Sequence, residues 1–255
     1  MKLEELLAKA SLKGIGRGIG LDVQMVDGYL QCTPLNPDDS RYSTDFILPS
    51  MKMVGACRAN DFDFFQPALA AGLLTEEQMH HAAERYHLGK TKSGRPIFWL
   101  IDDMLNPLDA HIAPDSWIST TLRIREPLLK YWQVRHCLFG LHLLTNSILS
   151  APVAIVESEQ SAVILSELFP ETIWMAYVSI PHLNTNLLAP LQGRTVTIYP
   201  RTDNTMSNYL FFLGYANHVR SLHSLNLHVD ATLEHHATDS QKSSCIDILD
   251  FILQS

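Results

Sequence analysis

Residues 153–169 read VAIVESEQSAVILSELF. Four apolar residues with no break are followed by a glutamate, then by ten or more residues with an apolar stripe formed by Ala162, Val163, Leu165 and Leu168. A short continuous apolar run predicts a strand buried on both faces, and the stripe predicts a helix laid against it. The same alternation continues outward. IWMAYV (173–178), RTVTIY (194–199) and SLNLHV (224–229) are strand-like, Asn184–Leu191 reads as a helix or turn, MSNYLFFLGYANHV (206–219) is helix-like, and IDILDFIL (246–253) closes the chain. Short apolar strands separated by helix-length segments predict an α/β domain with a central parallel sheet flanked by helices and right-handed crossovers. The polar stretch 228–244 is expected to be an exposed loop.

Upstream, TEEQMHHAAERY (75–86) starts with an N-cap threonine, acidic first-turn residues and Gln78 at the capping-box position. Met79, Ala82, Ala83 and Tyr86 form its apolar face. His80, Glu84 and His87 fall near one side and read as a solvated polar face rather than a metal site. RYHLG (85–89) leads to IFWLIDD (97–103), a strand after which Asp102 and Asp103 begin a turn. HCLFGLHLL (136–144) is apolar nearly all round and predicts a buried helix, with His136 and His142 as packing residues. The first residues read as a short amphipathic helix, the GIGRGIG segment (14–20) as a flexible joint, LDVQMV (21–26) as a strand, and 31–60 as an irregular link. This gives a loosely attached segment over 1–60, a smaller α+β subdomain over 61–150 and the α/β domain over 151–255.

Composition narrows the function classes. The 255 residues are 46% hydrophobic and 18% charged, as in a folded globular protein. No apolar run reaches the roughly 20 residues of a membrane span, and no signal peptide is evident, so a cytoplasmic protein is expected. Cys32, Cys57, Cys137 and Cys245 form no CxxC pair, which excludes a zinc ribbon built from cysteine alone and predicts reduced thiols. A net charge of −8 argues against autonomous high-affinity duplex binding, which needs a basic stripe. Basic and aromatic residues cluster only in REPLLKYWQVRH (125–136) and just before it. Arg123, Arg125, Lys130, Trp132 and Arg135 are therefore the candidates for contact with single-stranded nucleic acid. An amphipathic segment that buries Leu128, Leu129 and Trp132 is the competing reading.

Parallel sheets place their sites beyond the carboxyl ends of strands. Glu157 follows the first strand and Asp203 follows RTVTIY, with Glu159, Asp247 and Asp250 as candidates to lie nearby. Converging carboxylates suit a hard ion such as Mg²⁺ or Mn²⁺, while strand-terminal acids also serve as ordinary caps.

VAIVESEQSAVIL resembles the first motif of the TOPRIM fold, and GRTVTIYPRTDN resembles its second, a strand ending in Asp-x-Asp. RYHLG, GRPIFWLIDD and HCLFGLHLL, in that order, are similar to the subdomain that precedes TOPRIM in bacterial primases. Glu157-Ser158-Glu159, Trp174 and Asp247-Ile248 make residues 80–255 similar to a primase-like family carried by bacterial plasmids and conjugative elements. The resemblance implies metal-dependent phosphoryl transfer, with Glu157 and Asp203 as catalytic residues and Glu157, Asp203 and Asp247 around Mg²⁺ or Mn²⁺. It also implies a partner among single-stranded nucleic acids or replication and mobilisation proteins. Two positions depart from the pattern. Ser158 stands where a glycine follows the glutamate, and Arg201 stands at the first aspartate. A guanidinium a few ångströms from a divalent ion costs on the order of several kcal/mol even at an effective dielectric of about 20. The expectation is a degenerate site in which Arg201 pairs with Glu157 or Asp203 in place of the ion, on a protein acting as an accessory. The alternatives are an active nucleotidyltransferase or nuclease that recruits Glu159, Asp247 or Asp250, and an interaction protein unrelated to nucleic acid.

Overall fold

A computed structural model describes residues 21–26, 29–34, 49–114, 116–117, 137–178, 185–223 and 225–255. The chain divides into two compact units, Met1–Leu48 with Ile118–Gln133, and Pro49–Trp117 with Val134–Ser255. In the first unit, β1 (Leu21–Val26) pairs antiparallel with β2 (Tyr29–Pro34), Val26 opposite Tyr29. Only Asp27 and Gly28 separate the strands, a favoured dipeptide for a two-residue hairpin connection. The irregular link expected over 31–60 thus begins inside β2.

The second unit opens with α1 (Met51–Ala56), which that expectation also missed. Ser50 caps it, its hydroxyl accepting from the Met53 amide at 3.2 Å, and Val54 is its buried anchor. The turn Asp63–Phe65 and α2 (Gln66–Ala70) lead into α3 (Glu76–Arg85). The capping box between Thr75 and Gln78 is complete, and Met79, Ala82 and Ala83 are buried. An antiparallel sheet follows, ordered β3 (Gly89–Lys90), β4 (Pro96–Ile101), β5 (Pro107–Ile112), β6 (Ser116–Trp117). The Asp102 carboxylate organises the β4–β5 turn by accepting from the amides of Met104 and Asn106 at 2.9 and 2.8 Å.

The parallel sheet contains β7 (Val153–Val156), β8 (Ile173–Ala176), β9 (Thr195–Ile198) and β10 (Asn226–Val229), in spatial order β10-β9-β7-β8. β7 is central and wholly buried, as its unbroken apolar run requires. α4 (Glu159–Leu168) carries the chain from β7 to β8. The 3₁₀ segment Thr185–Leu191 leads to β9, and α5 (Ser207–His223) leads from β9 to β10. The chain steps one way from β7 to β8 and the opposite way from β8 to β9 and on to β10. Crossovers of a single hand therefore put α4 on one face and α5 on the other. α4 also packs against α3 on one side and the C-terminal helix Ile248–Leu253 on another, so Ser161, Ile164 and Ser166 are buried along with its predicted inner face.

Residues 137–146 do not form the predicted helix. Phe139 instead pairs with Ala176 through hydrogen bonds of 2.9 and 3.1 Å and covers the outer edge of β8. The chain then turns at Gly140 (φ 85°) into the 3₁₀ segment Leu141–Asn146. A Cβ at Gly140 would lie 2.9 Å from the Trp174 carbonyl oxygen, so only glycine allows both the approach and the left-handed backbone. The expected exposed loop at 228–244 contains α6 (Thr232–His236) and α7 (Asp239–Ser243), anchored by buried Leu233 and a Thr238–Gln241 capping box. α8 (Ile248–Leu253) packs against α4. Among the described residues no helix is long and apolar enough to cross a membrane.

Candidate functional site at the end of the parallel sheet

The reversal of strand order makes the gap between the carboxyl ends of β7 and β9 the topological switch point, where open α/β sheets bind ligands. Glu157 leaves β7 there, and Arg201 comes three residues after β9. Arg201 Nε lies 3.0 Å from Glu157 Oε2. That nitrogen is buried yet makes no hydrogen bond, so the contact is Coulombic and off the N–H axis. The two side chains are 38% and 31% exposed, which leaves the pair partly screened by water. Of the two partners expected for Arg201, Glu157 and Asp203, it meets Glu157.

Tyr177, one residue past β8, completes the group. Its phenol is held well above its usual range, first by burial and next by the charge of Glu157, with Arg201 pulling the other way. Asp250 is also raised, by burial and by Asp247, and Arg201 again opposes the shift. Arg201 is therefore the cation within reach of several acidic groups. Its backbone is fixed through the next residue, fully buried Thr202, whose amide donates to the Ile246 carbonyl and whose hydroxyl donates to Glu234.

Asp203 has a different task. Its Oδ1 accepts from the Thr205 amide and hydroxyl and from the Ser207 amide, and its Oδ2 accepts from the Ser207 hydroxyl and the Asn208 amide. Burial alone would raise its pKa. These donors, led by Asn208, instead hold it far below the usual carboxylate range. A carboxylate saturated this way caps the start of α5 and offers little to an ion. Asp247 is likewise occupied, accepting from Ser161 Oγ at 2.5 Å and from the Asp250 amide at 2.9 Å as the N-cap of α8.

The residues do not fit the divalent ion that the family resemblance implies. A guanidinium lies against Glu157, Asp203 is saturated with donors, and each oxygen of Asp247 already accepts a hydrogen bond. Among the described residues no three His, Cys, Asp or Glu side chains are placed to hold a metal. The nucleic-acid candidates Arg123, Arg125, Lys130, Trp132 and Arg135 lie outside the described residues.

Sequence reading missed His111. Its Nδ1 lies 2.7 Å from Glu159 Oε1, and its Nε2 lies 3.3 Å from the Pro114 carbonyl. Both nitrogens face acceptors, which favours the doubly protonated ring. Burial works against that charge, but the hydrogen bond and charge of Glu159 outweigh it and raise the pKa. This pair ties β5 of the antiparallel sheet to the first turn of α4, two residues after Glu157. The PLDAHI segment holding His111 gave no signal of a partner 48 positions away.

No curated protein and no solved structure matches the chain. The family model that does match covers residues 64–202, more than half of the length, reaching from the turn before α2 through Arg201 and ending one residue short of Asp203. The chain belongs to the family described as Domain of unknown function (DUF6371).

Proposed function

We propose that the chain is a TOPRIM-like protein of mobile-element origin whose ion site has been replaced by an internal ion pair. On this reading it acts as a cytoplasmic, nucleic-acid-associated or partner-binding accessory rather than as a metal-dependent polymerase. One observation carries the reading: Arg201 Nε sits 3.0 Å from Glu157 at the switch point of the parallel sheet. A guanidinium there neutralises the carboxylate without taking part in phosphoryl transfer as a divalent ion would. The engagement of Asp203 in capping α5 supports the same conclusion.

Calorimetric titration with Mn²⁺, which tolerates Mg²⁺-type oxygen sites, tests it. The wild type is expected to be silent, and Arg201→Asp to gain binding by returning a second carboxylate beside Glu157. Wild-type binding abolished by Glu157→Gln overturns the reading in favour of an active nucleotidyltransferase or nuclease. Low-salt titration with single-stranded DNA and RNA tests the partner class. Binding lost in Arg125→Glu with Lys130→Glu supports nucleic-acid association through that cluster. No binding at all moves the role to a protein partner.

A further inference from the structure

The turn Arg85-Tyr86-His87-Leu88-Gly89 between α3 and β3 is pinned to its surroundings and presents one imidazole to a neighbouring guanidinium. The Arg85 carbonyl accepts from His142 Nε2 at 3.1 Å, and the Tyr86 hydroxyl donates to the Trp174 carbonyl at 2.7 Å. The Leu88 carbonyl accepts from the Ala59 amide at 3.2 Å. A Cβ at Gly89 would meet the Cys57 carbonyl oxygen at 2.9 Å, so the backbones touch there. His87 is half-buried, and its left-handed backbone at φ 53° ends α3 in the usual way, its amide donating to the Glu84 carbonyl at 3.1 Å and the Leu88 amide to the Ala83 carbonyl at 2.9 Å.

Its ring is aimed at Arg58. Nδ1 of His87 lies 3.3 Å from Arg58 Nη2, and a guanidinium only donates, so Nδ1 accepts and the imidazole is neutral. Burial, and then the charge of Arg58, lower the His87 pKa accordingly. The guanidinium is thus oriented by a neutral acceptor. Among the described residues it has no carboxylate partner. Beside it the described residues line an open depression of about 370 Å³, with Arg58, Asn60, His80 and Glu84 around a floor of buried Ala83 and Leu88. That volume falls in the range of small-molecule sites.

We propose that this depression binds a small ligand carrying one carboxylate or phosphate group. Arg58 grips the oxyanion, Ala83 and Leu88 receive the apolar part, and His87 is a positioning residue that sets the guanidinium. Glu84 on the rim repels a polyanion and so limits the ligand to a single such group. The site stands apart from the Glu157–Arg201 edge and does not depend on the reading of that edge.

The test follows the imidazole resonances of the full chain by NMR during titration with benzoate, phenyl phosphate and, as an uncharged control, benzyl alcohol. Saturable shifts of His80 and His87 are expected with a charged probe and not with the alcohol. Saturation by benzoate alone or by phenyl phosphate alone identifies which oxyanion the site takes. Arg58→Gln, at an exposed position, is expected to keep the fold and weaken binding about tenfold, the worth of a charge-assisted hydrogen bond. His87→Ala should weaken it less. His87→Asn, which tolerates the left-handed backbone and offers an amide oxygen, should restore it. Shifts that never saturate, or equal affinity in Arg58→Gln and wild type, overturn the proposal.

Discussion

Two carboxylates two residues apart on the chain, Glu157 and Glu159, each face a cation, and the two pairs differ in nearly every physical respect. Glu157 meets Arg201 at the open end of the sheet, with both side chains about a third exposed. Glu159 meets His111 under cover, with side chains 7% and 12% exposed, in a well-formed 2.7 Å contact that joins β5 to α4. Water screens the first pair, so it contributes little to folding and its charges stay available at the surface. The second is insulated, so its charges are strongly coupled and costly to separate. The chain thus places a structural tether directly behind a pair of chemically accessible groups, and Ser158, the cap of α4, is the pivot between them.

Breaking the tether should have the largest effect. Glu159→Ala or His111→Ala leaves a buried polar or charged partner alone and is expected to destabilise the unit by about 3 kcal/mol, measured by urea unfolding. The double substitution His111→Phe with Glu159→Leu removes both charges and should recover most of that loss. Single variants that cost less than about 0.5 kcal/mol would put the two pairs in the same class and end the contrast.

The pH dependence sharpens the contrast through a second buried histidine of opposite sign. His111 has a raised pKa, with Glu159 and the Pro114 carbonyl overcoming burial and the nearby Arg95 charge. Its contribution is therefore fully present below the unfolded value of about 6.5 and is lost as pH rises through the folded value. His142 is lowered to about 4, chiefly by burial, so it stays neutral in the fold. Stability linked to His142 is present above pH 6.5 and falls by up to about 3 kcal/mol as pH drops toward 4. Unfolding free energies of wild type, His111→Gln and His142→Asn between about pH 5 and 8.5 separate the two. The gap between wild type and His111→Gln should shrink with rising pH. His142→Asn should flatten the acid side.

What could be read in advance follows from how local each signal is. β7, α4, β8 and β9 were legible because continuous apolar runs and a helical stripe are properties of neighbouring residues. Glu157 was legible because it closes such a run, whereas Arg201 stood out only against the family resemblance, which left its partner open between Glu157 and Asp203. Asp203 was visible as a strand-terminal acid but not as a cap, although Thr205, Ser207 and Asn208 within five residues supply its donors. His111 was not legible, since its partner lies 48 positions away on α4 and meets it only in the folded chain. Gly140 misled for the same reason. An apolar segment reads as helix until the Trp174 carbonyl 2.9 Å from its missing Cβ is known.

The smallest expected effect is the most informative about the switch point. A double-mutant cycle on Arg201→Ala and Glu157→Ala should give a coupling of about 0.5–1 kcal/mol, because the pair is partly exposed and its short contact lacks hydrogen-bond alignment. Raising the salt concentration should reduce that coupling, whereas the buried His111–Glu159 pair should hold its value. A coupling near zero would overturn the reading of Arg201 as the internal substitute for the ion. A coupling above about 2 kcal/mol would make the pair a second tether, and the end of the sheet would then be closed to a ligand by the strength of its own ion pair.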